Sequence, residues 1–80
     1  MNQPQFETDY NSALTVLIQW SDRPRRLFPF KQVLKVYNHY LPDTRGCHRK
    51  IIAQQLILDL MPTISSTALH YLDKNLHSLI

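Results

Sequence analysis

The sequence predicts an all-α fold, a compact four-helix domain with helices over about 9–20, 30–41, 48–61 and 65–78, the last two forming a helix-turn-helix-like pair. Apolar residues recur at three- and four-residue steps along most of the chain, as one buried helix face requires. Five prolines interrupt these stretches, and a single glycine argues against hairpin turns, which need residues with positive φ. A length of 80 residues suits a single domain, residues 1–80.

The first helix is expected to begin at Thr8 or Asp9, because either side chain can cap a helix N-terminus. Residues 1–6 before it are expected to be disordered, as chain ends commonly are. One face of this helix carries the side chains expected in the core: Tyr10, Ala13, Leu14, Leu17, Ile18 and Trp20.

A connector over residues 21–30 follows, in which Pro24 and Pro29 prevent regular helix. Arg25 and Arg26 lie between the two prolines, on a short segment that is well placed to present them to a partner. Two apolar residues after the arginines are expected to pack inward: Leu27 and Phe28.

The second helix has the clearest amphipathic pattern. Its expected core face comprises six apolar or aromatic residues: Phe30, Val33, Leu34, Tyr37, Tyr40 and Leu41. The opposite face is basic and contains no acidic residue, and Pro42 is expected to end the helix. In the turn that follows, Gly46 can adopt a left-handed conformation, and Asp43 can offset the basic residues at the next helix start.

The third helix has two apolar faces. The first face is expected to make this helix the centre of the domain: Ile52, Ala53, Leu56, Ile57 and Leu60. The second face carries Ile51, Leu58 and Met61, which either contact the other helices or remain free for a partner. The fourth helix is expected to be capped by Ser65 and to bury a leucine-rich face: Ala68, Leu69, Leu72, Leu76 and Leu79.

Charge is distributed unevenly along the chain. The net charge of +3 divides into −3 over residues 1–22, +7 over residues 23–50 and −1 over residues 51–80. A basic block of this kind attracts phosphates or an acidic protein surface. A solvated basic face without a partner is an equally good interpretation of the charge alone.

The first functional hypothesis is a small basic regulatory protein that binds nucleic acid, with DNA favoured over RNA, through the helix-turn-helix-like pair. Basic residues would contact phosphates, and Ser66, Thr67 and His70 on the exposed start of the fourth helix would contact bases. The turn before this helix is long and lacks glycine, which weakens the motif. The candidate contact residues are Arg23, Arg25, Arg26, Lys31, Lys35, Arg45, Arg49, Lys50, Ser66, Thr67, His70 and Lys74.

The alternative is a protein-protein interaction module or inhibitor without enzymatic activity, of the kind that phages and mobile elements encode. Its basic surface would bind an acidic partner. Ile51, Leu58 and Met61 would form the interface with that partner or with a second copy in a homodimer. This alternative is compatible with DNA binding, because helix-turn-helix proteins commonly dimerise.

No motif indicates an enzyme, a metal site or a cofactor. Cys47 is the single cysteine, and the four histidines lack the spacing of a zinc site. A small domain without an internal disulfide is typical of the cytoplasm, and no apolar run reaches the roughly 18 residues of a membrane span. The N-terminal residues lack the pattern of a secretion signal.

Overall fold

The computed structural model describes residues 3–40 and 43–80. Its elements are α1 (Gln3–Ser21), α2 (Phe30–Tyr37), a 3₁₀ turn (Asn38–Tyr40), α3 (Cys47–Leu60) and α4 (Ser66–Ser78). The described residues contain no β-strand, and the all-α four-helix prediction is confirmed. None of the described helices combines the length and the apolar character needed to cross a membrane.

The core lies between all four helices and is built from their apolar faces. Its fully buried side chains include Leu17 from α1, Tyr37 from α2, Leu56 from α3 and Leu76 from α4. The Tyr37 hydroxyl donates to the main-chain carbonyl of Leu76 over 3.3 Å and so joins α2 to α4. Burial raises the pKa of Tyr37 to about 12, so the hydroxyl keeps its proton and remains a donor.

The start of α1 differs from the prediction. The helix begins at Gln3, so the predicted start at Thr8 or Asp9 is wrong, and residues 3–6 are helical. Proline at position 4 fits the first turn of a helix, where no backbone donor is needed. The Thr8 hydroxyl donates to the carbonyl of Pro4, as it does inside a helix, instead of capping. Residues 1 and 2 lie outside the described residues.

The second helix is shorter than predicted, and its buried face is rotated. The α-helical part ends at Tyr37, and the predicted end at Leu41 and Pro42 lies outside the described residues. Val36 is fully buried, whereas Leu34 is exposed. The buried face of α2 is centred on Val33 and on the residues one turn further along, Val36 and Tyr37, so Leu34 lies at its edge. Ile18 of α1 was also predicted in the core. It is exposed, because it too lies at the edge of the apolar face of its helix.

The start of α3 depends on a glycine and an aspartate. Gly46 has φ +71°, which confirms its predicted left-handed conformation, and a Cβ there would lie 2.6 Å from Ile80 Cγ2. Buried Asp43 accepts hydrogen bonds from Arg49 N at 3.0 Å and Arg49 Nε at 3.3 Å. Burial alone would raise the pKa of Asp43, but the backbone N–H groups of Arg49 and His48 and the arginine charge lower it. The predicted compensation by Asp43 is therefore present.

The two apolar faces of α3 differ in burial. Ile52, Ala53, Leu56 and Leu60 are buried, as predicted for the first face. Ile51, Leu58 and Met61 are 63%, 60% and 47% exposed, so the second face is not covered by the other helices. Of the two alternatives for the second face, the structure therefore shows the one in which it remains free of the described helices, while the first face packs in the core as predicted.

The fourth helix begins as predicted. The Ser65 hydroxyl accepts a hydrogen bond from Ala68 N at 3.1 Å, which satisfies one of the free donors of the first turn. Ala68, Leu72 and Leu76 are buried, and Leu69 and Leu79 are half-buried. Five residues, 61–65, separate α3 from α4, which is longer than the three or four residues common in helix-turn-helix units.

Candidate nucleic-acid interface

The connector between α1 and α2 is held in place by aromatic side chains. Phe28 is buried and packs edge-on against Trp20, with ring centres 5.0 Å apart. The Trp20 indole N–H donates to the carbonyl of Arg26 over 3.4 Å, and Arg26 N donates to the carbonyl of Arg23 over 3.0 Å. Leu27, which was predicted to pack inward, is 87% exposed. The connector is therefore a fixed turn that directs its arginines outward.

These arginines lie beside α4. Arg23, Arg25 and Arg26 line one shallow depression together with Thr67 on the first turn of α4. An adjoining depression is lined by residues of the connector and by the middle of α4: Pro24, Arg25, Arg26, Leu27, Phe28, Phe30, Tyr71, Lys74 and Asn75. We call the combined surface of Arg23, Arg25, Arg26, Thr67 and Lys74 the arginine groove.

The arginine groove is strongly electropositive. Its four cations, Arg23, Arg25, Arg26 and Lys74, are exposed, and none forms an ion pair within the described part of the chain. No acidic side chain of the described ranges lines either depression. Charges that are held close together and left unneutralised are the arrangement that attracts phosphates.

Two other residues predicted to bind phosphate are already paired with acids. Arg49 is bound to Asp43, with Arg49 Nη2 also donating to the Asp43 carbonyl over 2.7 Å. Lys35 Nζ lies 3.6 Å from Oδ1 of Asp9 on α1, although its own side chain is largely exposed. The structure therefore assigns Arg49 and Lys35 contacts within the domain.

Three further basic residues are exposed but are not part of the arginine groove: Lys31, Arg45 and Lys50. Arg45 and Lys50 flank the start of α3, which lies beside the end of the chain, since Gly46 approaches Ile80. The arginine groove lies instead along the first turn and the middle of α4. The basic block of residues 23–50 is thus divided between separate parts of the surface.

The predicted base-contacting residues are exposed on α4. Ser66 and His70 line a shallow depression toward α3 with Ile57, Leu69 and Asp73, whereas Thr67 faces the connector. Helical periodicity places Ser66, Thr67, His70 and Lys74 on one continuous outer face. The start of α4 is thus accessible to a ligand along its whole outer side.

A buried carboxylate on α1 is a feature that the sequence did not indicate. Asp9 is 5% exposed, and its Oδ2 lies 2.6 Å from Nε2 of His39, with the Gln5 amide donating to Oδ1 over 3.2 Å. The hydrogen bond from His39, followed by smaller contributions from Lys35, lowers the pKa of Asp9 in spite of its burial. Thirty residues separate the two partners, so local spacing could not have revealed the pair.

This pair should make the fold sensitive to acid. The folded-state pKa of Asp9 lies below 3.8, so the unfolded chain binds the proton first and stability falls as the pH decreases. We expect Asp9→Asn to be less stable than the parent at neutral pH and to lose less stability between about pH 5 and about pH 2, as measured by urea unfolding. Some pH dependence should remain, because Asp43 is unchanged.

The matched control is Asp22→Asn, since Asp22 is exposed and forms no side-chain hydrogen bond or ion pair with the described residues. It should follow the parent protein at every pH. An unchanged pH dependence in Asp9→Asn would show that the Asp9–His39 pair does not contribute to folding.

In the described ranges 3–40 and 43–80, no three His, Cys, Asp or Glu side chains come close enough to hold a metal ion. Cys47 is a free, exposed thiol. Comparison with protein-family models, curated proteins and solved structures finds no match to this chain.

Proposed function

We propose that this chain is a small nucleic-acid-binding protein that contacts duplex DNA with the arginine groove and the outer face of α4. The observation that supports the proposal is the placement of three connector arginines beside the first turn and the middle of α4. Arg23, Arg25, Arg26 and Lys74 would bind phosphates, which supply most of the affinity of such proteins. Ser66, Thr67 and His70 would then face the base edges.

The number of free cations sets the expected salt dependence. Four phosphate contacts predict that affinity for duplex DNA falls by about 10²-fold between roughly 50 and 200 mM salt, and six or more predict about 10³-fold. Binding of mixed-sequence duplex DNA at these two salt concentrations tests the proposal. A fall near 10²-fold would match the four cations of the arginine groove in number, and absence of binding at low salt would contradict DNA binding.

The exposed face of α3 favours a second candidate function, the binding of another protein or of a second copy. Ile51, Leu58 and Met61 recur with Gln54 at alternating three- and four-residue steps, as in the seam of a helical pair. We call these four residues the outer stripe. It carries no charge, so two copies can pair through it in spite of the net charge of +3. An acidic partner would in addition be attracted by the basic residues.

Light scattering on the protein alone distinguishes these possibilities. A dimer that dissociates in Leu58→Glu but not in Leu34→Glu would assign the outer stripe to self-association, since both leucines are exposed. A monomer at all concentrations would leave the outer stripe to a different protein. The mass of a monomer and the mass of a dimer are both compatible with DNA binding, which is measured separately.

A further inference from the structure

A second groove lies at the opposite end of α1 from the arginines. Its volume is about 460 Å³. Nine residues line it: Phe6, Glu7, Tyr10, Tyr40, His48, Ile51, Ile52, Gln55 and Asp59. We call it the aromatic groove. Glu7 precedes the end of α1 at Ser21 by 14 residues, which corresponds to about 21 Å along the helix. The aromatic groove is therefore separate from the arginine groove.

The walls of the aromatic groove are rings that support one another. Phe6 packs edge-on against Tyr40 at 5.5 Å and stacks on Tyr10 at 5.9 Å. Tyr40 in turn lies parallel to the His48 imidazole at 4.8 Å. Each of these four rings therefore contacts at least one other ring of the wall.

Two carboxylates accompany these rings. Asp59 accepts hydrogen bonds from the Tyr10 hydroxyl and, over 3.0 Å, from the Gln55 amide. Both donors are neutral, and burial followed by the bond to Asp59 raises the pKa of Tyr10, so the carboxylate charge is not cancelled. Glu7 is exposed and has no hydrogen bond or ion pair within the described residues.

Among the residues that the structure describes, no lysine or arginine lines the aromatic groove. Arg49 is bound to Asp43, and Lys50 lies about 100° around α3 from Ile51, on the side away from the groove. His48 Nδ1 faces Asp43 at 4.0 Å. In a protein with a net charge of +3, this groove is a local negative site bordered by aromatic side chains.

We propose that the aromatic groove binds an arginine or lysine side chain presented by a basic segment of a partner protein. Aromatic faces attract a cation, and carboxylates close to them complete its neutralisation. Ile51 belongs both to this groove and to the outer stripe, so apolar neighbours of the bound cation can cover Ile51 and Leu58. A peptide can use both surfaces at once, which an isolated amine cannot.

A blocked five-residue peptide of alternating leucine and arginine serves as the probe, and the same peptide with neutral citrulline replacing arginine is its control. Binding is followed by NMR of the ¹⁵N-labelled protein. We expect the arginine peptide to shift the backbone signals of Glu7 and Ile51 and the side-chain amide of Gln55. The citrulline peptide should bind about tenfold more weakly.

The double variant Glu7→Gln, Asp59→Asn should also weaken the arginine peptide about tenfold, and asparagine can still accept from Tyr10. The matched control is Asp22→Asn, Asp73→Asn, which changes the net charge equally at two exposed positions outside the groove. It should bind the peptide like the parent. Unchanged thermal unfolding in both variants excludes loss of fold.

The proposal would be overturned if the two double variants bound the arginine peptide with equal affinity, or if the parent protein bound the two peptides equally. It would also be overturned if the peptide shifted only NMR signals of residues in the arginine groove. Self-association that is lost equally in Glu7→Gln and in Arg25→Gln would also overturn it, because the occupant would then be the connector of a second copy. DNA binding by the arginine groove is measured separately, so its failure would not affect this result.

Discussion

Replacement of Leu56 by alanine is expected to lower the free energy of unfolding by about 2–5 kcal/mol. Leu56 is fully buried in the middle of α3, where its side chain contacts the common core of the four helices. The loss combines the transfer free energy of the removed carbons with the cavity that they leave. A domain of this size has a stability of only about 5–15 kcal/mol, so much of it could be lost. Urea unfolding followed by circular dichroism measures the change.

The same helix provides the control. Leu58 is two residues away on α3 and is 60% exposed, so Leu58→Ala removes the same atoms from the outer stripe. Its effect on stability should be within about 0.5 kcal/mol. Similar losses for both variants would contradict the assignment of the buried and exposed faces of α3, or would show that the outer stripe is covered in a stable dimer.

Reversal of two charges in the arginine groove is expected to have the largest effect on DNA binding. Arg25→Glu, Arg26→Glu removes two of the proposed phosphate contacts, each a hydrogen bond to a charged group, and should weaken binding about 10²-fold or more. The slope of log K against log salt should decrease in magnitude by about 2. Fluorescence anisotropy with a labelled duplex at several salt concentrations measures both quantities.

Arg45→Glu, Lys50→Glu is the matched control for this pair. It changes the net charge by the same amount at two exposed residues of the same basic block, but outside the arginine groove. We expect a clearly smaller loss of affinity and a smaller change in slope. Equal effects of the two pairs would mean that the protein binds through its overall charge and not through the arginine groove.

The sequence predicts well those features that depend on neighbouring residues. The spacing of apolar residues at three- and four-residue steps identified the four helices and the two faces of α3, and the residue type of Ser65 identified the cap of α4. All of these follow from the geometry of one helix. The spacing failed for Ile18 and Leu34, which lie at the edges of apolar faces. Their burial depends on which neighbouring helix covers the edge, and periodicity does not contain that information.

The candidate sites were predicted only in part, because they combine distant segments. The basic residues and the outer face of α4 were identified from charge and helical spacing, but their meeting at the arginine groove depends on how the connector is anchored by Trp20. The pair of Asp9 and His39 and the aromatic groove join the start of α1 to later elements. No local pattern marks such contacts, since each residue taken alone resembles an ordinary surface or core position.

The arginine groove and the acidic side chains of the aromatic groove lie at opposite ends of α1. The connector arginines follow one end, and Glu7 and Asp59 lie near the other. The two grooves are therefore separated by about 21 Å along α1, so a polyanion bound by the arginines leaves the aromatic groove open. If both proposals hold, one molecule would bind a polyanion and a basic segment of a second protein at the same time.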